Sequence, residues 1–177
     1  MKIFITGKPG VGKTTLLEQI ISKLALKNMM GCVVKEQRDN GQRTGFHIQY
    51  TPAQPATLLA LKNIHISDHY VSKYSVNIDG IEHEMLPFME KMLMTEDVPL
   101  LFFDEIGRMQ NKSPLFLPML NHLLEKSTSF LATILYDDEE WTLPFKHNPH
   151  YFFITVTEEN RDMVGDQIIS LFHQSIS

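Results

Sequence analysis

Eight residues near the start of the chain, Gly7–Thr14 (GKPGVGKT), constrain its fold more than any other feature. They are a complete GxxxxGK[ST] motif, and their flanks are those the motif's chemistry requires. Lys2–Thr6 (KIFIT) reads as a short strand. From Thr14 to Lys27, Leu16, Ile20 and Leu24 recur every four residues beside Leu17 and Ile21, the pattern of an amphipathic helix. A glycine-rich turn between strand and helix lets backbone amides approach phosphate oxygens closely, and the helix N-terminus adds free N–H groups and a favourable dipole. Gly7, Lys8, Pro9, Gly10, Val11, Gly12, Lys13, Thr14 and Thr15 are therefore the candidate phosphate-binding segment. Lys13 is placed to reach the β- and γ-phosphates, and Thr14 to present its hydroxyl to Mg²⁺.

The rest of the chain alternates strand and helix signals. Gly31–Lys35, Gly45–Tyr50 and Tyr70–Ile78 read as strands that could form an antiparallel edge. The polar run Arg38–Thr44 (RDNGQRT) between the first two reads as a loop. Met85–Met94 reads as a helix, with Pro87 in its first turn. Val98–Phe103 (VPLLFF) is a continuous apolar run, as in a strand buried on both faces. A helix from Leu117 to Lys126, strands at Phe130–Tyr136 and Tyr151–Val156, and a helix over Glu158–His173 with Val164, Ile168 and Leu171 on one face complete the pass. Alternation of this kind predicts an α/β fold with a mainly parallel central sheet and helices on both sides, where ligands bind beyond the C-terminal strand ends. With 177 residues and no repeat, the chain reads as one domain spanning 1–177.

Asp104 and Glu105 follow the buried VPLLFF run, where an aspartate can hold Mg²⁺ through water and a glutamate can orient an attacking water. DEIG at Asp104–Gly107 also fits the DxxG of regulatory GTPases, but Asn111–Pro114 reads NKSP, with proline where guanine recognition by NKxD needs an aspartate. Arginine can stabilise charge on a transferred phosphoryl group. Arg38 and Arg43 lie in a glycine-containing segment and Arg108 stands four residues after Asp104, so these three lead as candidates. Three readings remain: hydrolysis of nucleoside triphosphates, transfer to a small-molecule or nucleotide acceptor, and a nucleotide-dependent switch acting through a protein partner. No arginine-rich lid of the sort kinases commonly use is evident.

Composition narrows the setting. With 16 basic and 21 acidic side chains the formal net charge is -5, which argues against nucleic acid or an anionic membrane as the partner. One cysteine excludes an intramolecular disulfide and suits a reducing cytosol. No run approaches the roughly 18 apolar residues of a membrane span, and the apolar stretch Ile3–Thr6 is too short for a signal-peptide core. A cytoplasmic protein is expected.

The blocks GKPGVGKTT, RDNGQRTGF, FFDEIGRM and TEENRD stand here in the order found in small nucleoside-triphosphatases of the cancer-related nucleoside-triphosphatase type, which the chain resembles from Gly7 to Asp162. The resemblance implies a three-layer, RecA-like P-loop core. It also implies a Mg²⁺-dependent hydrolase that releases phosphate from ATP, GTP and other nucleoside triphosphates with broad base tolerance. Carried over by motif, Asp104 and Glu105 become the Walker B pair, and Arg38, Gly41, Arg43, Gly45 and Phe46 match an arginine-glycine block. Asn160 and Arg161 match an Asn-Arg pair after the last strand and join the nucleotide-binding candidates.

Overall fold

The computed structural model describes residues 1–176, whose contacts group them into two units. The first comprises Met1–Met29, Asp97–Ile106 and the segment from Thr128 onward. Its strands are β1 (Lys2–Thr6), β7 (Leu101–Ile106), β8 (Phe130–Ile134) and β9 (Phe152–Thr155), in the order β7-β8-β1-β9 and all parallel. Parallel pairing brings every C-terminal strand end to the same edge, which is where the glycine-rich segment and the TEENRD block follow their strands and where β7 carries the two acids. Ile3, Phe4 and Ile5 of β1 are fully buried, as are all five residues of β8. That explains why both strands read as continuous apolar runs rather than alternating ones. Phe4 lies among the rings of Phe130, Phe145, Tyr151 and Phe153, stacking on the last at a centroid distance of 5.0 Å.

Helix α1 (Lys13–Leu24) buries Leu16, Leu17, Ile20 and Leu24, the expected face, but ends three residues earlier than its periodicity suggests. Ala25 there is left-handed, at φ 44°, and its N–H bonds the Ile21 carbonyl, closing the helix. Helix α6 (Arg161–Ile176) packs on α1, with Gly165 against Leu16: a Cβ at Gly165 would stand 3.0 Å from Leu16 Cδ1. Its buried stripe is Val164, Ile168 and Phe172, while Leu171, expected on that stripe, is at its exposed rim. Each four-residue step overshoots a full turn by about 40°, and the packed face follows that drift.

The second unit comprises Met30–Glu96 and Gly107–Ser127. Its strands β2 (Met30–Asp39), β3 (Gln42–Thr51), β4 (Thr57–Lys62), β5 (Tyr70–Val71) and β6 (Tyr74–Val76) pair antiparallel in the order β5-β6-β4-β3-β2. The loop expected over Arg38–Thr44 is instead the tip of a hairpin with ten-residue arms. Asn40 and Gly41 form its two-residue turn at φ 47° and 77°. Positive φ at both turn positions matches the right-handed twist of the arms, and Asn-Gly tolerates it best. The tip is exposed on both faces, so it has no apolar alternation, which is why it reads as coil.

Three other segments also depart from the sequence pattern. TLLALK carries no period-2 signal, yet it forms β4 because Thr57, Leu59 and Ala60 are buried against neighbours on the sheet. The single strand expected over Tyr70–Ile78 is broken by Ser72, left-handed at φ 55°, into the β5–β6 hairpin. The third is the helix expected over Met85–Met94. Helical backbone there starts at α2 (Ile78–Gly80), capped by the Asn77 side chain accepting from Gly80 N–H, and passes through a π-helical turn, Ile81–Met85. It then continues as α3 (Leu86–Met94). α3 packs against α4 (Phe116–Lys126), which buries Phe116, Leu120, Leu123 and Leu124. The short helix α5 (Leu143–Lys146) belongs to the first unit.

Candidate active site

The glycine-rich segment leaves β1 at Gly7 and enters α1 at Gly12. Gly7 is required sterically, and Gly12 by its left-handed backbone. At Gly7, φ 155°, a Cβ would stand 2.5 Å from the Val156 carbonyl oxygen, and at Gly12, φ 93°, it would stand 2.8 Å from Arg161 Nη1. The Gly12 carbonyl accepts the first helical hydrogen bond, from Leu16 N–H at 2.9 Å. No side chain caps this end of α1, so its first amides keep their capacity to bind an anion. Lys13 folds over the loop, its ammonium donating to the Gly7 carbonyl at 2.9 Å and to the Lys8 carbonyl at 3.4 Å. Lys8, Pro9, Gly10 and Thr15 are exposed, and Val11 is buried beneath them.

Asp104 and Glu105 do not follow their strand but lie within it. β7 begins at Leu101, three residues later than the apolar run from Val98, and ends at Ile106, so Asp104 is 1 % exposed and Glu105 half-buried. The pairing with β8 slips by one residue between Phe103 and Ile106, placing a bulge at the two acids, a device that re-aims side chains beside active sites. Burial of a carboxylate demands hydrogen-bond donors. Two hydroxyls supply them: Thr14 Oγ1 lies 3.1 and 2.9 Å from the two Asp104 oxygens, and Thr133 Oγ1 of β8 lies 2.5 Å from Oδ1. A Thr14 that donates to Asp104 keeps its oxygen lone pairs for another ligand. Thr133 is a site residue the sequence reading missed. Its signal was a lone hydroxyl in FLATI, an otherwise apolar run, where once buried it must find a partner.

The TEENRD block organises the turn between β9 and α6. Thr157 and Asn160 cap one another: Thr157 N–H donates to Asn160 Oδ1 at 2.8 Å, and Asn160 N–H donates to Thr157 Oγ1 at 3.3 Å. Asn160 Nδ2 also donates to the Thr155 carbonyl at 3.0 Å. Arg161 Nη1 donates to the Val11 carbonyl at 3.3 Å and lies against Gly12, so this side chain braces the glycine-rich segment from the side. A hydrogen bond from a partly exposed charged donor contributes about 1 kcal/mol. Arg161→Ala is therefore expected to speed amide exchange around Val11–Gly12 roughly fivefold, read by hydrogen–deuterium exchange. Trp141 anchors its own loop, its Nε1 donating to Glu139 Oε2 at 2.5 Å.

Arg38 and Arg43 face each other across the β2–β3 hairpin and share one acid, Glu36. Arg38 Nη2 is 2.5 Å from Glu36 Oε2, Arg43 Nη2 pairs with Oε1, and Arg38 Nη1 donates to the Gly41 carbonyl at 3.0 Å. The Arg43 guanidinium also lies over the Phe46 ring, 5.4 Å from its centroid. Partial burial pushes the Glu36 carboxyl up, but hydrogen bonds and charge from both arginines outweigh it and hold the group below the usual carboxylate range. The sign follows directly. What the cluster contributes is complete above the ordinary carboxylate range and is lost as pH falls through the depressed value. Arginine Nε–H signals of Arg38 and Arg43 are expected to stay sharp at pH 6 and to broaden in that lower window in an NMR titration. Arg108, the third candidate, follows β7 and is exposed. Thus the glycine-rich segment, Asp104, Glu105, Asn160 and Arg161 fall in the first unit, while Arg38, Arg43 and Arg108 fall in the second.

The model of a family described as NTPase matches residues 2–169. The nucleoside-triphosphatase THEP1 of Methanocaldococcus jannaschii is 32 % identical over 174 residues, covering 96 % of each chain. That of Aquifex aeolicus is 32 % identical, covering 98 % of this chain and all of its own. The crystal structure of Aquifex aeolicus THEP1 superposes with a TM-score of 0.86, covering 97 % of this chain and 99 % of that one. A human cancer-related nucleoside triphosphatase, 24 % identical, shares the fold with a TM-score of 0.81 over 98 % of both chains. With the family model spanning residues 2–169 and relatives at 32 % identity matched along nearly the whole length of both chains, the chain belongs to the NTPase family.

Proposed function

We propose that the chain hydrolyses nucleoside 5'-triphosphates to the diphosphate and phosphate, with Mg²⁺ and with broad tolerance of the base. The observation that carries this reading is the Thr14–Asp104 pair: a hydroxyl on the first turn of α1 hydrogen-bonded to a buried carboxylate below the glycine-rich segment. These are hard oxygen donors, and too few for an all-protein cage. That set suits Mg²⁺, which is usually held by one or two protein oxygens, substrate phosphates and water. Thr14 and Asp104 would hold it, and when bound it neutralises charge on the phosphate oxygens.

The residues of this chain then divide the work. Amides of Gly10–Thr15 and the Lys13 ammonium bind and orient the phosphates. Glu105 orients a water for in-line attack and accepts its proton as the new oxygen–phosphorus bond forms and the bond to the diphosphate oxygen breaks. Arg38, Arg43 and Arg108 are the candidates to stabilise charge on the transferred group. The lack of an NKxD motif supports a site without guanine specificity. The family model's single span of residues 2–169 supports reading the chain as one functional domain. The order β7-β8-β1, with one strand between the acids and the glycine-rich segment, supports a RecA-like core. Among the described residues no helix is long and apolar enough to cross a membrane, and a sequence with a single cysteine suits a cytoplasmic setting.

The test is phosphate release from ATP, GTP, CTP and UTP, with Mg²⁺ or with EDTA and no acceptor. Release from several of the four, with Mg²⁺ only, is the expected result. Nucleotide that binds but yields no phosphate would overturn hydrolysis in favour of transfer to an acceptor or a partner-driven switch.

A further inference from the structure

Thr133 is not one of the residues that motif matching points to, yet its surroundings give it a specific task. It sits on β8, the strand between the one that carries the acids and the one that leads into the glycine-rich segment, and it pairs in register with Ile5 of β1. Its side chain is fully buried, and its hydroxyl lies 2.5 Å from Asp104 Oδ1, while Thr14 Oγ1 is within hydrogen-bond distance of both Asp104 oxygens. The rest of β8 is Phe130, Leu131, Ala132 and Ile134, all apolar and buried, so this hydroxyl is the strand's one polar side chain. A β-branched residue in a strand has a restricted χ1, which keeps the donor aimed. An aspartate carboxylate otherwise turns about a soft χ2, and a ligand group that swings loses affinity through the cost of fixing it.

We propose that Thr133 is a positioning residue for the divalent cation: it locks the Asp104 carboxylate so that the Asp104–Thr14 pair is preset to receive Mg²⁺ with the nucleotide. The inference rests on the nucleotide-hydrolysis reading and adds to it a residue that touches neither phosphate nor cation. Removing an outer hydrogen-bond partner of a metal ligand commonly costs about 10–100-fold in metal affinity. Valine has the shape of threonine without the donor, and serine keeps the donor without the methyl group.

Binding of a fluorescent non-hydrolysable triphosphate analogue, titrated in EDTA and again with Mn²⁺ or Mg²⁺, measures how much the cation tightens nucleotide binding. Thr133→Val is expected to bind the analogue in EDTA as the wild type does but to lose about tenfold or more of the cation-dependent gain. Thr133→Ser is expected to restore most of that gain. Mn²⁺ electron paramagnetic resonance gives the cation affinity directly, without any turnover. A Thr133→Val protein that keeps the full gain overturns the proposal alone, as does a Thr133→Ser protein that folds but stays as weak as valine. A wild type that shows no cation-dependent gain overturns the Mg²⁺ reading and this inference with it. If the valine variant does not bind in EDTA, Thr133→Ala, which adds no bulk, decides by the same ratio.

Discussion

Lys13→Ala is expected to reduce phosphate release by on the order of a hundredfold to a thousandfold, the usual cost of deleting one preorganised electrostatic group from a site where charge develops. The ammonium donates to the Gly7 and Lys8 carbonyls, so it is held over the concave face of the loop by the backbone it serves. Alanine keeps the helix propensity at this first position of α1, so the fold should survive. Loss of activity with an unchanged melting temperature is the result that assigns the deficit to chemistry and binding. Glu105→Gln is the companion variant. It preserves size and hydrogen bonding at a half-buried position but removes the proton acceptor, so kcat should fall by about 10²–10⁴ while nucleotide binding persists. The contrast between the two separates phosphate binding from water activation. Equal loss of binding in both would assign Glu105 to holding the site together instead.

Phe4→Ala should be the most costly single change to the core of the first unit, at about 3–5 kcal/mol. The residue is fully buried and its ring meets four other aromatic rings, so the cavity left behind is lined on several sides and has little freedom to collapse. Because β1 leads straight into Gly7, the loss should also reach the site. Urea unfolding is expected to show a lower midpoint, and fraying of β1 should show as faster amide exchange at Phe4, Ile5 and Val156, whose N–H bonds the Thr6 carbonyl at 2.7 Å. Phe4→Leu, which keeps most of the volume, is the control and should lose less than half as much. A small effect for alanine would mean that the surrounding rings can close over the gap.

Several features were legible in the chain alone because their causes are local. A strand of apolar residues, a glycine-rich turn and a four-residue apolar repeat follow one another within Lys2–Leu24, and each is set by its own few residues. The same holds for the apolar runs that become β7 and β8. The β2–β3 hairpin was half legible. Asn40-Gly41 is a strong turn signal, but the arms beside it are polar on both faces, and coil and exposed hairpin look alike when neither face is buried. β4 was hidden for the opposite reason, since its pattern is decided by which neighbours cover it and not by its own period.

The sequence by itself determined that the chain carries a complete GxxxxGK[ST] segment between a strand and a helix, two adjacent acids after an apolar run and a polar arginine-glycine block, because those are properties of residue type and short spacing. Only the tertiary structure decided which of these groups work together. It brought Thr14 and Thr133, 119 residues apart along the chain, to one buried carboxylate, and laid Arg161 against Val11 and Gly12. It also joined Arg38 and Arg43 through Glu36. The physical reason is that a buried polar group must be satisfied by whatever donor the strand order and register bring to it, and strand order is a property of the whole chain.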